Sequence, residues 1–95
     1  MIGVDEVLFF ISDEKYTRVQ TASYEALIRK PVRDLAEELD PALFWQIHRS
    51  TIVNVERIRE FLPWFQGDWM VVLADGTRLQ SGRSYRDRIR ALMDG

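Results

Sequence analysis

The sequence contains no cysteine and one histidine, His48. Without cysteine there is no disulfide framework, no thiolate nucleophile and no sulfur-held zinc, as suits a cytoplasmic protein. With one histidine, zinc would have to be held by a single imidazole and carboxylates, an uncommon donor set. Neither a metal nor a cofactor is therefore expected. Long apolar runs are also lacking. The longest, Val7-Leu8-Phe9-Phe10-Ile11, has strand length and falls well short of the ~18–20 residues of a membrane helix. No basic, apolar and small-residue succession at the start suggests a secretory signal, so no membrane partner is expected. Gly67, Gly76 and Gly82 are not arranged as a phosphate-cradling loop followed by Lys-Ser/Thr. A surplus of cations is missing as well. The formal net charge is −2, whereas a nucleic-acid-binding domain usually carries a basic excess.

What is present makes one folded domain, expected over residues 1–95. Ninety-five residues with 46% hydrophobic content suffice for one core but not two, and argue against a disordered tail. Charge is unevenly spread. Met1 to Ile47 holds five Lys/Arg against nine Asp/Glu, whereas His48 to Gly95 holds eight arginines against six acids. The second half is thus net basic. Its cations are all arginine, whose planar fork binds phosphate and guanine in a bidentate way that lysine cannot match. A solvated arginine-rich surface is the plainer explanation of the same count.

The pattern predicts a mainly β domain of antiparallel sheets with one short internal helix and a C-terminal helix. Val4–Ile11 reads as a buried strand, and Ser12–Lys15 as a polar turn. Tyr16–Thr21 alternates, placing Tyr16, Arg18 and Gln20 on one face and Val19 on the other. Tyr24–Arg29 reads as a third strand. Pro31–Leu39 reads as a helix with Pro31 at its first position and a stripe of Val32, Leu35, Ala36 and Leu39. Asp40-Pro41 ends it. Phe44–Ile47 and Ile52–Asn54 flank a compact turn at His48-Arg49-Ser50. Ile58–Trp64 and Trp69–Ala74 form a hairpin with Gln66-Gly67-Asp68 at the bend, and Asp75-Gly76 turns the chain into Thr77–Gln80. Tyr85–Met93 reads as a helix with apolar Tyr85, Ile89, Leu92 and Met93, and Ser84 with Asp87 resembles a capping box.

Catalysis needs a nucleophile beside a base, paired carboxylates or a metal. Ser50 two residues from His48 is a weak hint of a triad, because a histidine in a turn more often braces that turn. Asp34, Glu37 and Glu38 lie on the outer side of an amphipathic helix and serve its solubility. The chain does not read as an enzyme.

The segment Phe44-Trp45-Gln46-Ile47-His48-Arg49-Ser50-Thr51-Ile52-Val53-Asn54 is the most specific stretch. It resembles the hallmark of the LytTR (LytR/AlgR-type) DNA-binding domain of bacterial response regulators. Val4–Phe10 and Lys15–Val19 are similar to that family's opening strand and aromatic turn. Leu73–Leu79 and Gly82–Arg86 are similar to its closing hairpin and the run before its last helix. Two departures stand out. The family has a further strand ahead of Val4, where this chain has only Met1-Ile2-Gly3, which suggests a piece of a longer regulator. The family also often has serine directly before the last motif's arginine, where this chain has Gly82 with Ser81 one place earlier.

The resemblance implies an elongated arrangement of antiparallel sheets whose loops enter the major groove of double-stranded DNA. The first loop carries Lys15, Tyr16 and Arg18; the second carries His48 and Arg49; the third carries Ser81, Arg83 and Arg86. It further implies the output domain of a bacterial two-component transcription regulator, with an upstream receiver or sensor domain. Paired half-sites bound as a homodimer are expected. A guanidinium on a rigid turn suits guanine O6 and N7, while Arg86 near a helix start suits phosphate. Plainer alternatives stand beside these. Arg49 could pair with a carboxylate, His48 could only brace its turn, Tyr16 could be packing, and Ser50 and Asn54 suit backbone ties. Trp45, Trp64 and Trp69 suit core or dimer surface better than a base-stacking platform. Two other functions remain open: a protein-interaction or dimerisation module without nucleic acid, and a binder of RNA or single strands.

Overall fold

Val7 to Phe10 are four consecutive apolar residues, all buried. A strand alternates its side chains between two faces, so such a run needs cover on both. The computed structural model, which describes residues 3–94, provides it. Residues 1 and 2, part of the segment on which the expectation about the family's opening strand rested, lie outside the described residues, as does Gly95.

The strands are β1 (Val7–Asp13), β2 (Tyr16–Thr21), β3 (Glu25–Ile28), β4 (Phe44–His48), β5 (Thr51–Asn54), β6 (Ile58–Pro63), β7 (Trp69–Leu73) and β8 (Arg78–Gln80). The helices are α1 (Val32–Glu38) and α2 (Arg86–Asp94). An antiparallel five-stranded sheet runs β3-β2-β1-β5-β4, and an antiparallel three-stranded sheet runs β6-β7-β8. The domain is elongated, 35 × 23 × 22 Å. Every strand and helix expected from the sequence is present.

Helix α1 covers one face of the larger sheet. Val32 and Leu35 pack there on Val7, Phe10, Val19, Phe44 and Ile52, and the Phe10 and Phe44 rings meet edge to face at 5.8 Å. The opposite face meets the smaller sheet and α2. Leu8, Phe9, Ile47 and Val53 from the larger sheet close on Val71, Leu73, Leu79 and Ile89. β1 serves both cores through a bulge. Val7 pairs with Thr21 and Phe9 with Gln20, so Leu8 is the extra residue. Leu8 and Phe9 therefore turn to the same core, while Val7 and Phe10 face α1. A second register shift, between Gln46 and His48 of β4, surrounds Ile47, which is fully buried.

Several boundaries differ from expectation. Val4–Glu6 is a 3-10 turn rather than strand, because the Glu6 carboxylate accepts from Gly3 N–H at 3.1 Å and Glu6 N–H donates to the Gly3 carbonyl at 3.0 Å. Pro31 is the N-cap of α1 rather than its first helical residue, held extended by its φ of −64° and ψ of 153°. Of the α1 stripe, Val32 and Leu35 are buried while Ala36 is exposed. The Ser84–Asp87 capping box is not formed. The chain enters α2 through a 3-10 turn at Arg83–Tyr85 whose N-cap is Gly82, which places Ser84 inside a helical turn. Asp75-Gly76 behaves as expected: Gly76 takes φ 93°, and Thr77 N–H donates to Asp75 Oδ1 at 3.0 Å. The Thr77 backbone and hydroxyl hold the Asp75 carboxyl below its ordinary value.

Ile89 is the anchor that attaches α2 to the sheets, with no exposed surface. Ile89→Ala should cost ~2–5 kcal/mol, the lost transfer energy plus a cavity. Chemical denaturation checks this, and a loss below ~1 kcal/mol would mean that α2 contributes little to the core.

Candidate nucleic-acid interface

The turn between β4 and β5 is built around His48. The ring Nδ1 accepts from Ser50 N–H at 3.1 Å and lies 2.8 Å from Ser50 Oγ. A backbone N–H can only donate, so the ring proton sits on Nε2. The Gln46 side-chain amide donates to the Arg49 carbonyl at 3.4 Å. These bonds fix the turn backbone and leave the Arg49 side chain exposed. His48, half-buried, thus braces the turn that carries Arg49.

Two backbone hydrogen bonds bring the other expected loops alongside. Ser12 N–H donates to the Ser50 carbonyl at 2.9 Å, seating the β1–β2 turn with Lys15 and Tyr16 on one flank. Gly82 N–H donates to the Ile47 carbonyl at 2.7 Å, seating the β8–α2 connection on the other flank. All three loops therefore share one end of the molecule. A fourth element joins them. Arg83 Nη2 donates to Gln66 Oε1 at 3.1 Å, Arg86 Nη2 donates to the Gln66 carbonyl, and Arg86 Nε donates to Asp68 Oδ1 at 3.2 Å. The β6–β7 turn, which the sequence marked only as a bend, belongs to this face.

The expected contact residues do not stand alike. Lys15, Tyr16, Arg49 and Arg83 are exposed. Among the described residues, neither Lys15 nor Arg49 has a carboxylate at ion-pair distance. Arg18 is half-buried, 3.7 Å from Glu25, and its Nε makes no hydrogen bond. Arg86 is half-buried and tied to Asp68 and Gln66, so its first task is joining α2 to the β6–β7 turn. Ser81 is 2% exposed. Its hydroxyl accepts from Trp69 N–H at 2.9 Å, and its own N–H donates to the Trp69 carbonyl. That hydroxyl is a strut between β7 and β8.

Gly82 accounts for the departure at that position. A Cβ there would stand 3.1 Å from His48 Cδ2 and 3.3 Å from Tyr85 Cδ2, and the His48 ring is pinned by Ser50. Asn54 is structural as expected: buried, it donates to the Val7 carbonyl at 2.8 Å and accepts from Glu56 N–H at 3.0 Å. Trp45 and Trp69 pack half-buried against the core, while Trp64 and Phe65 are exposed near the β6–β7 tip.

Such an arrangement defines a small β domain that presents arginine on braced turns at one end of two sheets. The sequence profile of the LytTr DNA-binding domain matches residues 1–94, and the chain belongs to that family. It is 35% identical over 75 residues to the transcriptional regulatory protein LytR of Staphylococcus aureus strain MW2. That match covers 79% of this chain and 30% of LytR. It is 22% identical over 93 residues to the sensory transduction protein LytT of Bacillus subtilis, covering 98% of this chain and 39% of LytT. The chain thus spans well under half the length of these relatives. A solved LytTr DNA-binding domain from a Bacillus cereus response regulator superposes with a TM-score of 0.91 at 22% identity, covering 99% of this chain and 86% of that one. No described helix is long and apolar enough to cross a membrane.

Gly82→Ala should lower stability by ~1–3 kcal/mol through overpacking against His48. In a His48→Ala background the penalty should shrink by at least half, since the ring that obstructs the new methyl is gone. Thermal denaturation of the four proteins gives the coupling directly. Equal penalties in both backgrounds would mean that His48 is not the obstruction.

Proposed function

We propose that this domain binds double-stranded DNA in a sequence-specific way, as the output domain of a transcription regulator. The observation that carries the reading is the set of turns fastened at one end, where Arg49 and Arg83 are exposed on a hydrogen-bonded scaffold. Family membership supports it, and so does the similarity to LytR, a transcriptional regulatory protein.

The roles divide by what each side chain is free to do. Arg49 and Arg83 are the base readers: each keeps donors for a bidentate pair with guanine in the major groove. His48 orients Arg49 through the turn and keeps Nε2–H as a further donor. Lys15 and Tyr16 meet phosphate and sugar, which set register. Lys15 attracts phosphate less strongly than its charge suggests, because Asp13 and Glu14 precede it. Arg18 and Arg86 reach phosphate only by sharing their carboxylate partners, and Ser81 supports the third loop from inside.

Arg49→Ala and Arg83→Ala should each weaken binding to a selected duplex by ~1–3 kcal/mol and relax discrimination at one position. Lys15→Ala should weaken binding to all duplexes alike and reduce the salt slope by about 0.9. Fluorescence anisotropy at several salt concentrations separates the two behaviours. Wild-type affinity in both arginine variants would sink the assignment and favour a protein-interaction module.

The relatives are much longer than this chain, and the regulator's remaining length is the place for a receiver or sensor domain that controls pairing. One domain offers only a few phosphate contacts, so tight binding requires two copies on neighbouring half-sites at high effective concentration. A duplex with two half-sites spaced by whole turns of ~10–10.5 base pairs should bind more tightly than a single half-site. It should also bind more tightly than a pair displaced by an extra half turn. Equal affinity for the three probes would mean that pairing contributes nothing to this chain's binding.

A further inference from the structure

Gln66 stands at the tip of the β6–β7 turn with φ 56° and ψ 36°. The left-handed region costs an ordinary side chain ~1–2 kcal/mol, and glycine or asparagine would enter it at lower cost. Strained positions of this kind persist where surrounding contacts over-determine them. Here both polar ends of Gln66 bind arginines from the far side of the connection. Its carbonyl accepts from Arg86, which Asp68 holds at 3.2 Å. Its side-chain Oε1 accepts from Arg83 Nη2 at 3.1 Å. The first contact anchors the backbone of the tip. The second extends from that anchor to an exposed guanidinium.

We propose that Gln66 is a positioning residue that holds the Arg83 guanidinium in its reading orientation before DNA arrives. The inference rests on Arg83 being a base reader, as proposed above. A guanidinium has five N–H donors in a plane, and one bond from Nη2 leaves four for a ligand. An unrestrained arginine loses substantial rotamer freedom on docking, whereas one already bonded loses less. A neutral amide suits the task, because a carboxylate at the same place would hold the fork but cancel its charge towards DNA. Glycine at this position would remove the strain and the bond together.

The test uses Gln66→Asn. Asparagine tolerates the left-handed backbone and keeps the carbonyl that Arg86 binds, but its side chain is one methylene too short to reach Arg83. Affinity for a duplex selected from a random pool by the 95-residue chain should fall about 3- to 10-fold, the worth of one pre-ordered side chain. Affinity for scrambled duplex and the salt slope should not change. The thermal midpoint reports whether the tip stays folded, and Gln66→Gly repeats the test with the strain relieved. The same substitutions are then made in an Arg83→Ala background, where they should have no further effect on affinity. If Arg83→Ala itself binds like wild type, Arg83 is not a reader and the positioning inference falls with it. If Arg83→Ala weakens binding while Gln66→Asn and Gln66→Gly do not, the reading of Arg83 stands and the inference is overturned. Equal losses from Gln66→Asn in both backgrounds would also overturn it, since Gln66 would then act through the fold or a contact of its own.

Discussion

The hydrogen bond from Gly82 N–H to the Ile47 carbonyl, 2.7 Å long, ties the connection that leaves the smaller sheet to an edge strand of the larger one. Its carbonyl lies next to His48, so the same few atoms set both the approach of the β8–α2 connection and the shape of the β4–β5 turn. A Cβ on Gly82 would stand 3.1 Å from His48 Cδ2, so the His48 ring crowds any side chain placed there. From this point the face can be traced in both directions: through Ser50 to Ser12 and the β1–β2 turn, and through Arg83 and Arg86 to Gln66 and the β6–β7 turn. The exposed arginines owe their relative placement to these ties rather than to any one element.

An acidic domain can serve as a DNA binder because its charges are sorted by position. Lys30–Glu38 and Arg59–Glu60 are exposed pairs, which contribute little to stability and take cations out of the net attraction. Arg86 is partly spent on Asp68. Arg49 and Arg83 escape such pairing, and they sit on turns whose backbones are already fixed. On the reading proposed above, the acidic first half disfavours duplex that meets the domain in the wrong orientation, since like charges penalise misdocking. On that same reading, selectivity comes from where two guanidinium groups are held, and the total charge matters less.

Much of the fold was legible because local chemistry and tertiary demand agree along most of the chain. β2 alternates as its burial does, with Thr17, Val19 and Thr21 inward. Asp75-Gly76 forms a tight turn because glycine enters positive φ freely. The His48-Arg49-Ser50 segment marked the second loop, and its resemblance to a known family pointed to the neighbouring ones. Other features were not legible in any local pattern. Nothing in Val7–Phe10 shows that Leu8 is an extra residue in the ladder. Ser81 resembles an exposed polar loop residue and is buried, because its hydroxyl satisfies the Trp69 backbone. Arg86 resembles a phosphate ligand and is engaged with a turn distant in sequence. Gln66 gives no sign of its left-handed backbone, a conformation its residue type does not favour.

By itself the sequence determined the element order and the turn positions, since each depends on side-chain chemistry and spacing within one short segment. It also determined which side chains face inward wherever period-two alternation holds. Only the tertiary structure decided which polar groups stay free. β1 pairs with β5 and Gly82 docks on Ile47, and those long-range bonds determine which arginine finds a carboxylate and which remains exposed. A side chain's availability depends on every group within a few ångströms of it, and most of those groups come from distant parts of the chain.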